Sequence, residues 1–212
     1  MFYKNDRMNV LNYNYGDNLK KIVDCLKEGK LVVYPTDTIY GIAADIRNVN
    51  SIKKVYATKK RSFDKSISIC FHDINQLENY VFLNDEIKQI IEKSLPGPYT
   101  FLLEKKDIIN PLLTANTSVV GVRIPDNRVS YDLTCDFPIT STSANISDCP
   151  TPTNILQIQK QLGNNISVYI NQGELKNNQP STIIDLTNKK PVIVRKGIHD
   201  EKVLNSILKI NL

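Results

Sequence analysis

The segment of residues 34–41, YPTDTIYG, constrains the fold of this chain more than any other. It follows an apolar run at 31–33 that predicts a short buried strand. Pro35 ends that strand because proline has no amide hydrogen for a sheet ladder. Two threonine hydroxyls, a carboxylate and a phenol follow, and such groups are costly to bury without partners. Since α/β sheets bind ligands at strand ends, the segment predicts a binding site there.

Length and composition favour one large globular domain. The 212 residues can bury a substantial core, and the net charge of +5 gives only weak support for a nucleic-acid partner. We expect no membrane association, because no run approaches the roughly 20 apolar residues of a membrane span. The N-terminus lacks the apolar core of a secretory signal, and Met8 is an alternative start. Four scattered cysteines favour reduced thiols, so we expect a cytoplasmic protein.

Hydrophobic periodicity predicts βα units mixed with strands that follow one another directly, which favours a mixed sheet over a parallel one. We expect a variable extension over 1–18, a core domain over 19–200 and a closing helix over 201–212. Asp17 or Asn18 is the predicted cap of the first helix, and Asn50 or Ser51 of the second. Helices are predicted near 19–26, 52–56, 87–91, 155–162 and 203–210, and strands near 31–33, 66–70, 100–103, 119–124, 138–142, 166–170, 182–186 and 192–194.

Arginine is scarce, with six residues, and three of them lie in segments typical of sites: Arg61, Arg123 and Arg195. Its guanidinium offers a rigid fork for carboxylate or phosphate that lysine lacks. Arg123 stands inside the apolar strand VVGVRIP. It therefore lies on an exposed sheet face or pairs with a buried anion, and we favour the second, with a carboxylate as a suitable ligand.

The run Lys59-Lys60-Arg61 ends the second predicted helix and has two interpretations. Its cations complement the helix dipole at a solvated end, or they form a clamp for a polyphosphate. The rest of the chain must decide between these interpretations.

A second group of closely spaced hydroxyl side chains lies at the end of the strand predicted at 138–142. It is either an ordinary strand with a capped turn or a repeat of the pattern at 36–40. Thr151 and Thr153 extend it to a predicted helix N-terminus, which favours anions. Ser181 precedes one further strand, and Arg195 ends another.

Several catalytic chemistries are disfavoured. The chain has no P-loop and no GxGxxG fingerprint, so side chains and other loops must hold any nucleotide. With His72 and His199 as its only histidines, and no HExxH or GxSxG motif, it offers neither a metallohydrolase nor a serine-triad site. We expect no protein-held metal, no thiol catalysis, and a rim position for His72.

In order along the chain, PTDTIYG, KKR, SVVGVRIP, STSANIS, PSTIIDLT and VRKG resemble the YrdC-like domain of threonylcarbamoyl-AMP synthases, in single-domain form. The resemblance runs from about residue 19 to 197. It implies an α/β fold, a twisted mixed sheet flanked by helices, with a concave, positively charged pocket. It also implies that L-threonine, bicarbonate and ATP become threonylcarbamoyl-AMP and pyrophosphate, with Mg²⁺ accompanying ATP and no organic cofactor.

The resemblance also implies residue roles. Catalytic roles fall to Lys59, Arg61 and Ser143. L-threonine would contact Thr36, Ser68, Arg123, Ser141 and Ser181. ATP would contact Lys59, Arg61, Phe63, Val119, Ser143, Asn145, Thr151 and Arg195. Ser62 and Ser66 replace prolines that are common in the family, so we expect a looser loop there.

Two further expectations concern partners. A separate transferase would carry the threonylcarbamoyl group to ANN-decoding tRNAs, forming t6A, and any direct tRNA binding would be weak. The alternative function is a non-catalytic module that binds double-stranded RNA or tRNA, against which the mild charge and the lack of aromatic stacking motifs count.

Overall fold

The computed structural model describes residues 9–12, 16–175, 179–210 and 212. Its strands are β1 Asn9–Asn12, β2 Val32–Tyr34, β3 Gly41–Ala43, β4 Ser68–Cys70, β5 Tyr99–Glu104, β6 Val119–Arg123, β7 Ile139–Ser143, β8 Val168–Asn171, β9 Thr182–Asp185 and β10 Val192–Arg195. Its α-helices are α1 Leu19–Lys27, α2 Val49–Lys59, α3 Ile74–Glu78, α4 Asp85–Ser94, α5 Arg128–Leu133, α6 Ile155–Leu162 and α7 Glu201–Ile207. In these residues no helix combines the length and the apolar character needed to cross a membrane.

The described strands form one mixed sheet in the order β1-β8-β2-β3-β7-β4-β6-β5-β9-β10. Pairs β1–β8, β8–β2, β4–β6 and β5–β9 are parallel, and the other neighbours are antiparallel. The predicted mixed sheet flanked by helices is therefore confirmed. Central strands β7, β4 and β6 bring the hydroxyl-rich segment at 140–143 beside Ser68 and Arg123.

Both faces of the sheet bury apolar side chains. Val33 and Ile42 belong to the larger cluster, whereas Val32, Tyr34 and Ala43 belong to the smaller one, which α1 and α5 cover. This division follows from the strand geometry, because successive side chains point to opposite faces. Leu31–Val33 is buried throughout because β2 lies inside the sheet with both faces covered.

Helix ends depart from the prediction in physically clear ways. The cap of α2 is Asn48, whose Oδ1 accepts from the amides of Asn50 at 3.0 Å and Ser51 at 3.2 Å. The prediction of Asn50 or Ser51 as that cap was therefore wrong. Asn18 occupies the cap position of α1 but makes no capping bond with its side chain.

Short elements were missed. β1 lies within the expected extension and pairs with β8, while β3 follows the loop of residues 35–40 directly. β1 has Asn at both ends and β3 consists of Gly, Ile and Ala, and Asn, Gly and Ala are depleted in strands, so neither segment has a strand-like composition. The closing helix α7 ends at Ile207, earlier than predicted.

Candidate active site

A cavity of about 400 Å³ opens on the sheet where the polar strand ends converge. Its described wall contains Thr36, Ile39, Tyr40, Gly41, Arg61, Ser66, Ile67, Ser68, Thr100, Leu102, Gly121, Arg123, Ser141, Thr142, Ser143, Thr151, Pro180, Ser181, Ile183, Val194 and Arg195. Nine predicted site residues are thus brought together: Thr36, Arg61, Ser68, Arg123, Ser141, Ser143, Thr151, Ser181 and Arg195. Three arginines and no acidic side chain occur in this described wall, which suits an anionic ligand.

The loop after β2 is shaped by the hydroxyl of Thr36. Its Oγ1 accepts from the amides of Thr38 at 3.1 Å and Ile39 at 3.2 Å, and donates to the carbonyl of Ile39 at 2.7 Å. This hydroxyl-centred turn holds the loop without a strand ladder. The turn directs the next residues back into β3, and Thr36 itself remains buried at the cavity wall.

Arg123 ends β6 and is only 6% exposed. Its Nη2 donates to Asp37 Oδ1 at 2.9 Å and to Thr38 Oγ1 at 3.0 Å, while its Nε is buried without a partner among the described residues. Burial raises the pKa of Asp37, and the charge of Arg123 opposes that rise. The favoured buried-anion interpretation is confirmed, with the chain's own Asp37 as the anion.

A glycine makes room for hydroxyl groups beside Arg123. A Cβ on Gly121 would come within 2.5 Å of Ser68 Oγ and 3.3 Å of Thr100 Cγ2. Thr100 in turn hydrogen-bonds Ser181, with 2.8 Å between their hydroxyl oxygens. Gly121 therefore keeps the floor of the cavity open between Ser68 and Thr100.

Arg195 closes the wall from the edge strand β10. Its Nη2 donates to the carbonyl oxygen of Ser181 at 2.9 Å. Burial lowers the pKa of Arg195, and the nearby charge of Arg123 adds to the lowering. The mutual repulsion of these guanidinium groups is a cost that a bound anion would relieve.

Lys59 occupies a different place from the one the sequence suggested. It is 1% exposed and does not line the cavity. Its Nζ donates to the carbonyl of Ser143, to the carbonyl of Asn145 at 2.8 Å and to Asn145 Oδ1 at 3.3 Å. Burial lowers the pKa of Lys59 to about 7, helped by Arg61, whereas the three oxygens favour the charged form. These three hydrogen bonds hold the turn after β7 in place.

Asn145 completes that turn. Its Oδ1 accepts from Ser143 Oγ, and its Nδ2 donates to the carbonyls of Ile146 at 2.9 Å and Cys149 at 2.8 Å. Asn145 is buried and lies outside the cavity wall, so Ser143 is the member of this network that faces the cavity.

The loop after α2 is tied down by Arg61. Its Nε donates to the carbonyl of Lys65 at 3.0 Å and its Nη2 to that of Ser66 at 2.7 Å. Phe63 is 51% exposed and packs on Tyr56, with ring centroids 4.7 Å apart. Phe63 and Val119, both predicted ATP contacts, do not belong to the cavity wall.

The sequence interpretation assigned no role to several cavity residues. Tyr40 lines the wall, donates to the carbonyl of Gly173 at 2.7 Å and accepts from the amide of Gln172 at 3.0 Å. The position of Tyr40 in the YPTDTIYG segment could have identified it as a cavity residue, whereas nothing in the sequence around Thr100 or Gly121 indicated such a place. His72, for which a rim position was predicted, lies outside the cavity wall and packs against Tyr131, with ring centroids 3.9 Å apart and planes tilted by 37°. The described residues contain no cluster of three metal-ligating His, Cys, Asp or Glu side chains.

Comparisons with known proteins identify the family of the chain. The Sua5/YciO/YrdC family model, described as Telomere recombination, matches residues 24–197. A Methanocaldococcus jannaschii protein, provisionally named a threonylcarbamoyl-AMP synthase, is 40% identical over 183 residues, covering 84% of this chain and 87% of its own.

Solved structures share the fold. A crystal structure of Pyrococcus abyssi Sua5 complexed with L-threonine is 28% identical, has a TM-score of 0.89, and is covered over 61% of its length by 96% of this chain. Escherichia coli YciO has a TM-score of 0.84 at 24% identity, with 93% of this chain and 98% of that chain covered, and supports the fold alone. The chain belongs to the Sua5/YciO/YrdC family.

Proposed function

We propose that this protein is a threonylcarbamoyl-AMP synthase, which makes threonylcarbamoyl-AMP and pyrophosphate from L-threonine, bicarbonate and ATP. The observation that carries the proposal is one cavity in which three arginines and several hydroxyl groups converge from distant segments. The names of the relatives support it. The described cavity wall contains no histidine or carboxylate that could activate its hydroxyl groups as nucleophiles, so it suits a reaction that needs positioning and charge neutralisation.

L-threonine is assigned to the Arg123 end of the cavity. Arg123 would bind the substrate carboxylate, because a guanidinium fork matches that group and its Nε lacks a partner. The hydroxyl residues Thr36, Ser68, Ser141 and Ser181 line the same cavity and would orient the amino acid.

ATP is assigned to four other residues of the cavity wall, Arg61, Ser143, Thr151 and Arg195, of which Arg195 adjoins the threonine region through Ser181. The two guanidinium groups would neutralise the phosphates. Lys59 and Asn145 would act on ATP by fixing Ser143, since both are buried and bonded to the same turn. Phe63 and Val119 lie outside the cavity wall, so any contact they make with ATP would be at its entrance or beyond.

The chemistry needs two steps. The threonine amine adds to bicarbonate, water leaves, and a carbamate forms. A carbamate oxygen then attacks the α-phosphate of ATP, and the bond to pyrophosphate breaks. The chain would hold both reactants in one orientation, and Arg61 and Arg195 would stabilise the charge that develops on the leaving pyrophosphate.

Mg²⁺ would enter with ATP. The described cavity wall supplies hydroxyl oxygens and no carboxylate, so it fits an ion held by phosphates and water better than one held in a protein cage. When bound, the ion would supply further neutralisation of the phosphate charge.

The product would serve t6A formation in ANN-decoding tRNAs through a separate transferase in the cytoplasm. The proposal is tested by measuring pyrophosphate release from ATP with and without each co-substrate. We expect release only when L-threonine and bicarbonate are both present. Equal release without L-threonine would identify a nucleotide hydrolase instead.

A further inference from the structure

The Arg123 end of the cavity has a counter-charge built into it. Asp37 Oδ1 lies 2.9 Å from Arg123 Nη2, and the two side chains are 11% and 7% exposed. Asp37 Oδ2 accepts from the amide of Asp126 at 3.2 Å, which fixes the carboxylate from its other side. Asp37 does not line the cavity, so it acts on a ligand through Arg123.

The other two arginines of the cavity are held differently. Arg61 donates to the carbonyls of Lys65 and Ser66, and Arg195 donates to the carbonyl of Ser181. Neither forms an ion pair with a carboxylate of the described residues. Asp148 and Asp64 act on Arg61 from a distance and oppose the lowering of its pKa by burial, but they form no contact with it, whereas Arg123 is balanced by Asp37 at contact distance.

This asymmetry separates two kinds of ligand. A polyphosphate gains most beside cations that no carboxylate contacts, and a carboxylate next to Arg123 repels it. A zwitterionic amino acid has no net charge and loses little beside a neutral pair. Arg123 Nη2 is also committed to Asp37 and Thr38, so the guanidinium is oriented before a ligand arrives.

We propose that Asp37 is a positioning residue that sorts the substrates: it fixes Arg123 and cancels its charge, so that this end takes the amino acid and leaves the triphosphate to Arg61 and Arg195. The inference rests on the proposed function and adds a residue and a specificity rule to it.

The test uses Asp37→Asn, which keeps the size of the side chain and removes its charge. Arg123 and the amide of Asp126 donate to different oxygens of Asp37, and in Asn one of those positions is an NH2 group, which donates and cannot accept. We expect L-threonine affinity, measured by calorimetry without ATP, to fall about tenfold or more. We also expect pyrophosphate to become a competitor of L-threonine, an effect that a purely structural role would not produce.

Asp45→Asn is the matched control. Asp45 is 3% exposed and pairs with Arg47 at 2.7 Å, but neither residue lines the cavity. This variant should keep L-threonine affinity and show no competition by pyrophosphate, even though it also removes the charge of a buried carboxylate that pairs with an arginine.

A measurement on the unchanged protein keeps the inference falsifiable if Asp37→Asn fails to fold. L-threonine and pyrophosphate should then bind together, without displacing each other. Mutual displacement in the unchanged protein, or a folded Asp37→Asn variant with native affinity and no competition, overturns the role of Asp37 alone. A native protein that binds no L-threonine overturns the proposed function, and the inference with it.

Discussion

Arg123 illustrates how one residue links the sheet to the site. A guanidinium buried at the end of an apolar strand needs an anion, and the fold supplies one from a loop 86 residues away in sequence. Arg123→Ala removes the proposed partner of the substrate carboxylate. Because losing one member of a buried charge pair costs on the order of 2–5 kcal/mol, we expect L-threonine affinity to fall about 30-fold or more.

Calorimetry with L-threonine and with ATP separately checks this first prediction, and ATP affinity should change far less. Arg47→Ala is the control, because it also leaves a buried carboxylate, Asp45, without its partner while lying outside the cavity. A folded Arg123→Ala variant with native L-threonine affinity would contradict the assignment.

Lys59 carries the second prediction at this scale. Burial lowers its pKa in the folded protein from 10.5 to about 7, so between these values the unfolded chain binds more protons than the folded one. The contribution of this group to stability therefore rises with pH across that window, by at most about 1.4 kcal/mol per pH unit. Lys59→Met removes this contribution.

Urea unfolding of both proteins at several values between about pH 7 and pH 10 measures it. The stability difference, native protein minus Lys59→Met, should increase with pH. Taking the difference between the two proteins cancels the effect of tyrosine and cysteine groups whose pKa is raised in both of them. A difference that stays flat would show that the oxygens of Ser143 and Asn145 keep the ammonium charged throughout.

The sequence revealed some of these residues and concealed others. Arg123 was conspicuous because a charge in an apolar strand is anomalous, and its burial beside an anion was predictable. Its pairing with Asp37 was not, because no local pattern reports a contact between distant segments. Lys59 looked like a solvated or phosphate-facing cation, since burial of a lysine among carbonyl groups depends entirely on tertiary packing.

At the scale of elements, the segment after α2 depends on one side chain. Lys60 closes the helix in a left-handed conformation with φ 50°, and Arg61 then fastens the following loop through two carbonyls. Ser62 and Ser66 had suggested a looser loop. The guanidinium bonds supply a restraint on that loop, and they do so at the cavity wall.

Arg61→Lys is the third prediction. An ammonium group lacks the fork that reaches the carbonyls of Lys65 and Ser66 together, so we expect the loop to loosen. Turnover should fall by more than can be explained by the loss of stability from a changed helix-end charge, which is roughly 0.3–1 kcal/mol. The kcat of adenylate formation and the rate of proteolysis within residues 61–66 measure the two effects. Arg47→Lys, which also gives up a fork outside the cavity, should retain native kcat; native turnover in Arg61→Lys would return the segment to the interpretation of a solvated helix end.

Element prediction succeeded where periodicity was long. Helices α1, α4 and α6 and strand β5 show a sustained pattern of buried residues, and each was predicted near its observed place. β1 and β3 contain Asn, Gly and Ala, which are depleted in strands, so their composition did not indicate a strand. The cap of α2 lies two or three residues earlier than expected, because Asn48 reaches two amides of the first turn. The order of strands in the sheet depends on long-range pairing and had no local signature.

At the scale of the whole molecule, the charge of the protein indicates which partners it can bind. The net charge of +5 is modest, and three of the six arginines lie in the wall of a cavity of about 400 Å³. A cavity of this kind suits small anionic substrates. Any tRNA binding should therefore be weak, electrostatic and steeply dependent on salt concentration.

The last prediction follows from that distribution: formation of threonylcarbamoyl-AMP should not require tRNA. Substrates that meet inside a small cavity need no polynucleotide to bring them together, and the transfer to tRNA would belong to a separate protein. Chromatography of the products with nuclease-treated enzyme, with and without added tRNA, measures the dependence. Equal yields are expected, with arginine variants of the cavity inactive in both conditions. Product that appears only with intact tRNA would mean that the nucleic acid completes the site, and the division of labour proposed here would be wrong.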